Sequence, residues 1–442
     1  MSKKKSKKKN AGPPQALIRL SQCMIVKNEE KNIEKALSWA KGIVFEQIVV
    51  DTGSTDRTVE IAKSMGAKVY HFKWIDDFSA ARNYAIKQAT GNWIVFLDAD
   101  EFFPVTDARK LIASLKLIQS DPVARDKYHA LGCKMINIDV NGKATNTYNL
   151  TRVFQNNRSI YYHGRIHEEL SVGSENTIWD TDITFFHEGD PIERKDAGNS
   201  ERNIKMLRAE LSLKPGDLNL KAYLANSLIA SGDEKNLNEA EKLFSETIKL
   251  DTGADIRLVL KLGAYTYFMD KYAKDPDKAN QCEQMCLKGL DEYPDYIDFK
   301  YYLAYALNNK GEFNKAWQLL KTCEIELATK ANLADSALVS ADPSLVYSQM
   351  VISAQGLGDT DNVIKYVTLI LKADKLRHSA LRPYIATLVR HGKNTDDIIA
   401  LLKTIYDFSD NCDLDIMIKT AKECGAIDLE RKIIAIAGEG ML

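Results

Sequence analysis

Between residues 20 and 97 the chain alternates four short apolar runs with three amphipathic stretches, and few folds accommodate that pattern. The runs are 20–26, 47–51, 67–71 and 93–97. Each is too short for a typical helix, and most are rich in Val, Ile and aromatic residues, which predicts buried strands. Between them Ile33, Ala36, Leu37 and Ala40 recur at helical spacing, as do Val59, Ile61 and Ala62; a third helix opens at Asp77 and runs to Ala89. Strand–helix alternation of this kind builds an α/β sandwich around a parallel sheet. Such sheets bind ligands outside the carboxyl ends of their strands. Two of those ends are acidic here. The second run stops at Asp51, and the fourth leads into Asp98-Ala99-Asp100-Glu101.

Two carboxylates flanking one small residue suit a hard divalent cation, Mg²⁺ or Mn²⁺, which commonly also takes phosphate oxygens. Asp51 is placed to accept hydrogen bonds from a ribose or a base. Arg82, in Ala81-Arg82-Asn83 near a helix start, is a guanidinium suited to a diphosphate. Plainer roles fit the same residues: an acidic loop after a core strand, a helix N-cap shared among Asp51, Ser54 and Asp56, and a surface ion pair for Arg82. No Gly-x-Gly-x-x-Gly follows the first run and no Walker motif occurs, which disfavours dinucleotide oxidoreductases and ATPases.

At 442 residues the chain is long enough for two or three domains. Six of its first ten residues are Lys, while the whole chain carries a net charge of −1, so the body has no basic surplus to attract nucleic acid. The stretch 1–16, Lys-rich and then Gly-Pro-Pro, reads as a disordered arm. No apolar run reaches the ~18 residues that span a bilayer, and no signal-peptide core follows the lysines, so a cytoplasmic location without a transmembrane segment is expected. Seven scattered cysteines fit reduced thiols.

After residue 101 a helix is expected over 106–119, then strands over 128–138, 149–155 and 158–162, with turns at 140–143 and Asn156-Asn157. Tyr162-His163-Gly164-Arg165-Ile166-His167-Glu168-Glu169 gathers two His and two acids, residue types suited to a general base or metal ligands. His capping with surface acids is the plainer alternative. His187 ends a further apolar strand in Phe185-Phe186-His187-Glu188-Gly189.

Four ordered blocks carry a family resemblance: Cys23-Met24-Ile25-Val26-Lys27-Asn28-Glu29-Glu30, Val49-Val50-Asp51-Thr52-Gly53-Ser54-Thr55-Asp56-Arg57-Thr58, Asp77-Phe78-Ser79-Ala80-Ala81-Arg82-Asn83 and Leu97-Asp98-Ala99-Asp100-Glu101. Together they resemble the family 2 glycosyltransferases of GT-A fold. The later His-Gly-Arg-Ile-His-Glu-Glu and His-Glu-Gly segments are similar to a subgroup that includes lipopolysaccharide-core glucosyltransferases and peptide S-glycosyltransferases of glycocin bacteriocins. The resemblance implies donor binding by Val26, Asn28, Glu29, Asp51, Ser54, Arg82, Asp98, Ala99 and Asp100. It also implies a metal held by Asp98, Asp100 and His187. The base is expected at Glu168, with Glu169 and His167 as alternates.

From residue 193 onward the pattern is helical. Amphipathic pairs are expected at 219–231 with 237–250, 256–270 with 277–293, 296–309 with 313–327, 343–356 with 360–373, and 378–391 with 395–407. Turn glycines Gly358, Gly392 and Gly425 lie 34 and 33 residues apart, close to the ~34-residue tetratricopeptide period, whereas Gly311 stands 47 before Gly358. The expected layout is an arm at 1–16, a GT-A domain at 17–192, a connecting helix at 193–216 and all-α tetratricopeptide-like repeats at 217–442. Such arrays bind peptides or self-associate. The expected function is metal-dependent inverting transfer from a nucleoside diphosphate sugar, a UDP-sugar foremost, to a Cys thiol or Ser/Thr hydroxyl of a peptide or protein, with a homodimer through the repeats as a further expectation. A lipopolysaccharide or capsule acceptor is the alternative, and a non-catalytic repeat scaffold the second.

Overall fold

The computed structural model describes residues 17–139, 142, 144–173, 177–188, 197–249, 256–329 and 338–439. The Lys-rich arm, most of the expected turn at 140–143 and the expected boundary at 192/193 lie outside these. Two compact units divide between Asp255 and Ile256.

The first unit runs β1 (Leu20–Val26), α1 (Ile33–Ser38), β2 (Glu46–Asp51), α2 (Thr58–Ser64), β3 (Lys68–His71), α3 (Phe78–Gln88), β4 (Trp93–Phe96), β5 (Glu101–Phe102), α4 (Val105–Ser120), α5 (Pro122–Lys127), β6 (Ala130–Ile138), β7 (Ala144–Gln155), β8 (Tyr161–His163), β9 (Glu169–Ser171) and β10 (Ile178–His187). Three helices follow: α6 (Ala197–Leu213), α7 (Leu218–Ala230) and α8 (Glu234–Thr247). Eight strands form one sheet in the order β3-β2-β1-β4-β7-β6-β10-β5.

The expected parallel core is present as β3, β2, β1 and β4. The remainder makes the sheet mixed, because β7 runs antiparallel to both β4 and β6, and β5 antiparallel to β10. Strand alternation sorts the core into layers. On one face Trp93, Val95 and Leu97 pack against Leu111, Leu115 and Ile118 of α4. On the other, Ile94 and Phe96 pack with Cys23, Ile48, Val50 and Ala85 of α3. Both faces of β4 are thereby covered, which is why its sequence is apolar throughout.

The second unit is all helix: α9 (Leu258–Ala273), α10 (Ala279–Glu292), α11 (Ile297–Asn309), α12 (Phe313–Thr329), α13 (Leu338–Ala341), α14 (Ser344–Leu357), α15 (Thr360–Ala373), α16 (His378–Arg390), α17 (Thr395–Leu402), α18 (Asn411–Glu423) and α19 (Ile427–Glu439). The four expected pairs that fall in this unit appear as α9/α10, α11/α12, α14/α15 and α16/α17, and α18/α19 adds another. Residues 217–249, expected to open the repeats, belong instead to the first unit. Gly311, Gly358, Gly392 and Gly425 all adopt left-handed φ, from 66° to 75°, at the turns between paired helices. That conformation ends a helix and favours glycine. Tyr296, Phe299, Tyr301 and Tyr302 are core residues. No helix among the described residues is long and apolar enough to cross a membrane.

Gly289 of α10 is a close-approach glycine. A Cβ there would lie 2.2 Å from Cε1 of Phe299, which is itself fully buried against Tyr265, Tyr293 and Tyr296. The ring has nowhere to retreat. Gly289→Ala is expected to destabilise this unit by about 1–3 kcal/mol through overpacking. Thermal unfolding checks it, and an unchanged midpoint would mean that α10 and α11 separate without cost.

Candidate active site

The carboxyl ends of β1, β2 and β4 place the expected donor residues along one sheet edge. Val26 pairs with Asp51 in register. Beyond β1, Asn28 takes a left-handed φ of 59°. Its N–H donates to Ser54 Oγ (3.0 Å), and its Oδ1 accepts from the Thr55 N–H (2.8 Å). The Glu29 N–H donates to Thr58 Oγ1 at 2.7 Å. The β1–α1 and β2–α2 loops are thus tied into one rim. Asp51 is buried and accepts from the N–H groups of Ser54 (3.0 Å) and Gly53 (3.3 Å), while His71 Nδ1 lies 3.2 Å away. Burial alone raises the Asp51 carboxyl, but these donors outweigh it and leave the pKa below the ordinary value.

The turn after β4 is locked from within. The Asp98 N–H donates to Glu101 Oε2 (3.0 Å), and the Glu101 N–H to the Asp98 carbonyl (3.1 Å). Around it lies a charge cluster. Arg82 Nη1 is 3.0 Å from Asp98 Oδ1, and Arg82 Nε donates to Glu168 Oε1 at 2.5 Å. Arg152 Nη2 reaches Asp98 Oδ2 (3.3 Å) and Glu101 Oε1 (2.5 Å). The Arg82 guanidinium also lies 4.9 Å from the Phe96 ring centre and 5.4 Å from that of Tyr162. Burial raises the Asp98 carboxyl, yet the two guanidiniums overcome this and hold it well below the usual carboxylate range. Glu101 is deeper, and there burial wins and its pKa rises. The Tyr162 hydroxyl is buried with no hydrogen-bond partner among the described residues, and its pKa is pushed up to about 12 by burial.

Asp100 has a partner of its own. Its Oδ2 lies 3.2 Å from His187 Nε2, and His187 Nδ1 is 2.8 Å from Asn137 Oδ1. A two-residue strand makes the encounter: β5 pairs with β10 through Phe102 with Phe186 and Glu101 with His187. The Glu188 N–H donates to the Asp100 carbonyl (2.9 Å), and Lys35 pairs with Glu188. Among the described residues no group of three His, Cys, Asp or Glu side chains is arranged to hold a metal. Two protein ligands, a carboxylate and an imidazole whose other nitrogen is oriented by Asn137, fit a cation that completes its shell with phosphate oxygens and water. Asp98, engaged by two arginines, is not arranged as a third ligand. Ala99 packs into the apolar cluster of α1 and α2.

The His/acid stretch forms a hairpin. β8 and β9 pair antiparallel, with His163 opposite Glu169, and residues 164–168 make the loop. Ser79 Oγ donates to the Gly164 carbonyl (2.5 Å) and the Phe78 N–H to that of Arg165 (2.8 Å), seating the loop on the start of α3. His167 has φ 52°, a left-handed conformation that costs a non-glycine residue on the order of 1–3 kcal/mol. Glu168 turns inward to Arg82, whereas Glu169 and His167 remain exposed. The structure therefore brings Arg82, Asp98 and Glu168 into one cluster and Asp100 and His187 into a pair beside it. Sequence reasoning missed Arg152, Tyr162, His71 and the packing role of Glu101. Arg152 sits in the long strand β7 with no local motif to mark it; only the sheet order, with β7 beside β4, brings it to Asp98.

Residues 21–124 match the family model described as glycosyl transferase family 2. Over that stretch the chain is similar to the family 2 glycosyl transferases. The match runs from β1 into α5 and includes Asp51, Arg82, Asp98 and Asp100; Arg152, Glu168 and His187 lie beyond it. A TPR repeat-containing protein of Synechococcus elongatus is 35% identical over 231 residues, 50% of this chain and 55% of that one. The SPbeta prophage-derived glycosyltransferase SunS of Bacillus subtilis is 30% identical over 198 residues, 43% of this chain and 45% of that one. The chain thus spans about half the length of the curated relatives it matches. Glucosyl-3-phosphoglycerate synthase from Mycobacterium tuberculosis, solved with Mn²⁺, uridine diphosphate and glucosyl-3-phosphoglycerate, overlaps 43% of this chain and 79% of its own at 15% identity, with a TM-score of 0.30. An overlap that low adds nothing to the family 2 match.

Proposed function

We propose that the chain transfers a sugar from a nucleoside diphosphate donor, a UDP-sugar foremost, to a peptide or protein acceptor with inversion at the anomeric carbon. One observation carries the reading: the Asp100–His187 pair stands beside the Arg82–Asp98–Arg152 cluster at the carboxyl edge of the sheet. In this reading Asp100 and His187 hold Mg²⁺ or Mn²⁺, which offsets charge on the departing diphosphate. Asn28, Glu29, Asp51 and Ser54 line the nucleotide side of the rim. Asp98, fixed by two arginines, faces the donor sugar. Glu168 accepts the acceptor's proton as its oxygen or sulfur bonds to the anomeric carbon and the bond from that carbon to the diphosphate oxygen breaks. Glu169 and His167 are the alternate bases on the same loop. The helical pairs of the second unit suit a peptide acceptor or a second copy of the chain.

The test is nucleotide release from UDP-, GDP- and dTDP-sugars with Mn²⁺, Mg²⁺ or EDTA, alongside direct binding of each donor. Release from one donor, abolished by EDTA, is expected. Neither binding nor release of any donor would remove the reading.

A further inference from the structure

Helices α6 and α7 lie outside the family 2 match, and the transferase reading does not use them. They grip the site at four points. The Tyr223 ring of α7 lies flat on the His167 imidazole, with centroids 3.6 Å apart and planes within 10°. Glu210 of α6 reaches Arg165 at 3.5 Å. Lys205 binds Asp76 at 2.8 Å, and the Arg202 guanidinium lies 5.3 Å from the Phe78 ring centre. The gripped residues fall in two short segments, 76–78 and 165–167. Those segments are joined to each other by the Phe78 N–H donating to the Arg165 carbonyl. Among the described residues three non-glycine residues have positive φ, namely Asn28, Asp76 and His167, and α6 and α7 hold two of them.

We propose that Tyr223 is a positioning residue for the transfer reaction. By stacking on His167 it holds that residue in its left-handed conformation and thereby aims Glu168. The inference rests on the transferase reading above. The direction of the chain after His167 is set by the backbone angles of His167. Strand β9 begins at Glu169, so relaxation of His167 has only one residue, Glu168, in which to be absorbed. With His167 relaxed, the Glu168 carboxylate leaves Arg82. The stack uses the ring face of Tyr223 and does not need its hydroxyl.

The test uses the full chain with Tyr223→Phe, Tyr223→Ala and Tyr223→Leu, the last keeping apolar bulk without a ring. The first readout is independent of turnover: the His167 ring-proton NMR signal, assigned by its loss in His167→Gln among the seven histidines. It is expected to be shifted upfield by the tyrosine ring in the wild type and in Tyr223→Phe, and to lose that shift in the Ala and Leu variants. The second readout is steady-state transfer. Ala and Leu are expected to lower kcat about 10- to 100-fold, as misplacement of a reacting group does. Donor KM should stay within about two-fold, because the donor rim is untouched. Phe should restore kcat. Wild-type turnover in Tyr223→Ala or Tyr223→Leu after the ring shift is lost would overturn the inference, as would absence of the shift in the wild type. Failure of the transferase reading looks different: the wild type itself would release no nucleotide from any donor.

Discussion

Asp98→Ala should lower the stability of the first unit by about 3 kcal/mol, the low end of the cost of removing one partner from a buried ion pair. Arg82 and Arg152 are both largely buried and share this carboxylate. Each keeps one other acid, Glu168 or Glu101, which is why the low end applies. For a unit of this size that loss corresponds to roughly 6–12 °C in melting temperature. The effect should depend on pH. The folded-state pKa of Asp98 is depressed, so its stabilisation is complete above the ordinary aspartate value of 3.8 and fades as the pH falls below it. Wild type and variant should therefore converge in acid. Calorimetry from pH 7 down to about pH 2 checks both parts. A variant that melts within about 2 °C of the wild type at neutral pH would show that the arginines need no shared acid.

The largest loss of activity is expected at Asp100. Its main-chain carbonyl is held by the Glu188 N–H, and that bond does not depend on the side chain, so Asp100→Ala should fold. The variant leaves His187 as a lone ligand for the proposed cation. A fall in kcat of about 10²–10³ is expected, the size seen when one group stabilising transition-state charge is removed. Donor-release kinetics with and without added Mn²⁺ measure it. Turnover within ten-fold of the wild type, still sensitive to EDTA, would place the metal elsewhere.

What could be read from the sequence follows from how each element is specified. β1, β2 and β4 are locally legible because they are buried on both faces and so read as apolar runs, and the Asp98–Asp100 pair is legible because it follows one of them. β5 is not. Glu101 and Phe102 form a strand only because β10 pairs with them from some 85 residues away. Arg152 looks like any basic residue on a long strand until β7 is placed beside β4. The hairpin loop carrying Glu168 was marked by its His and acid content, but its inward turn depends on His167 and on α3, which no local pattern encodes. Helices α7 and α8 have the same amphipathic pattern as the later pairs, so periodicity could not assign them to the first unit.

The two units also differ in how far apart in the chain their partners lie. In the second, helices pack chiefly on neighbours close in sequence. In the first, β1 must find β4 some 70 residues on, and β5 waits for β10. Folding slows as native contacts become less local. Synthesis therefore delivers the slow unit first: the sheet's last pairing cannot form until residue 187 has emerged, whereas each later helical pair can close almost as soon as its second helix appears.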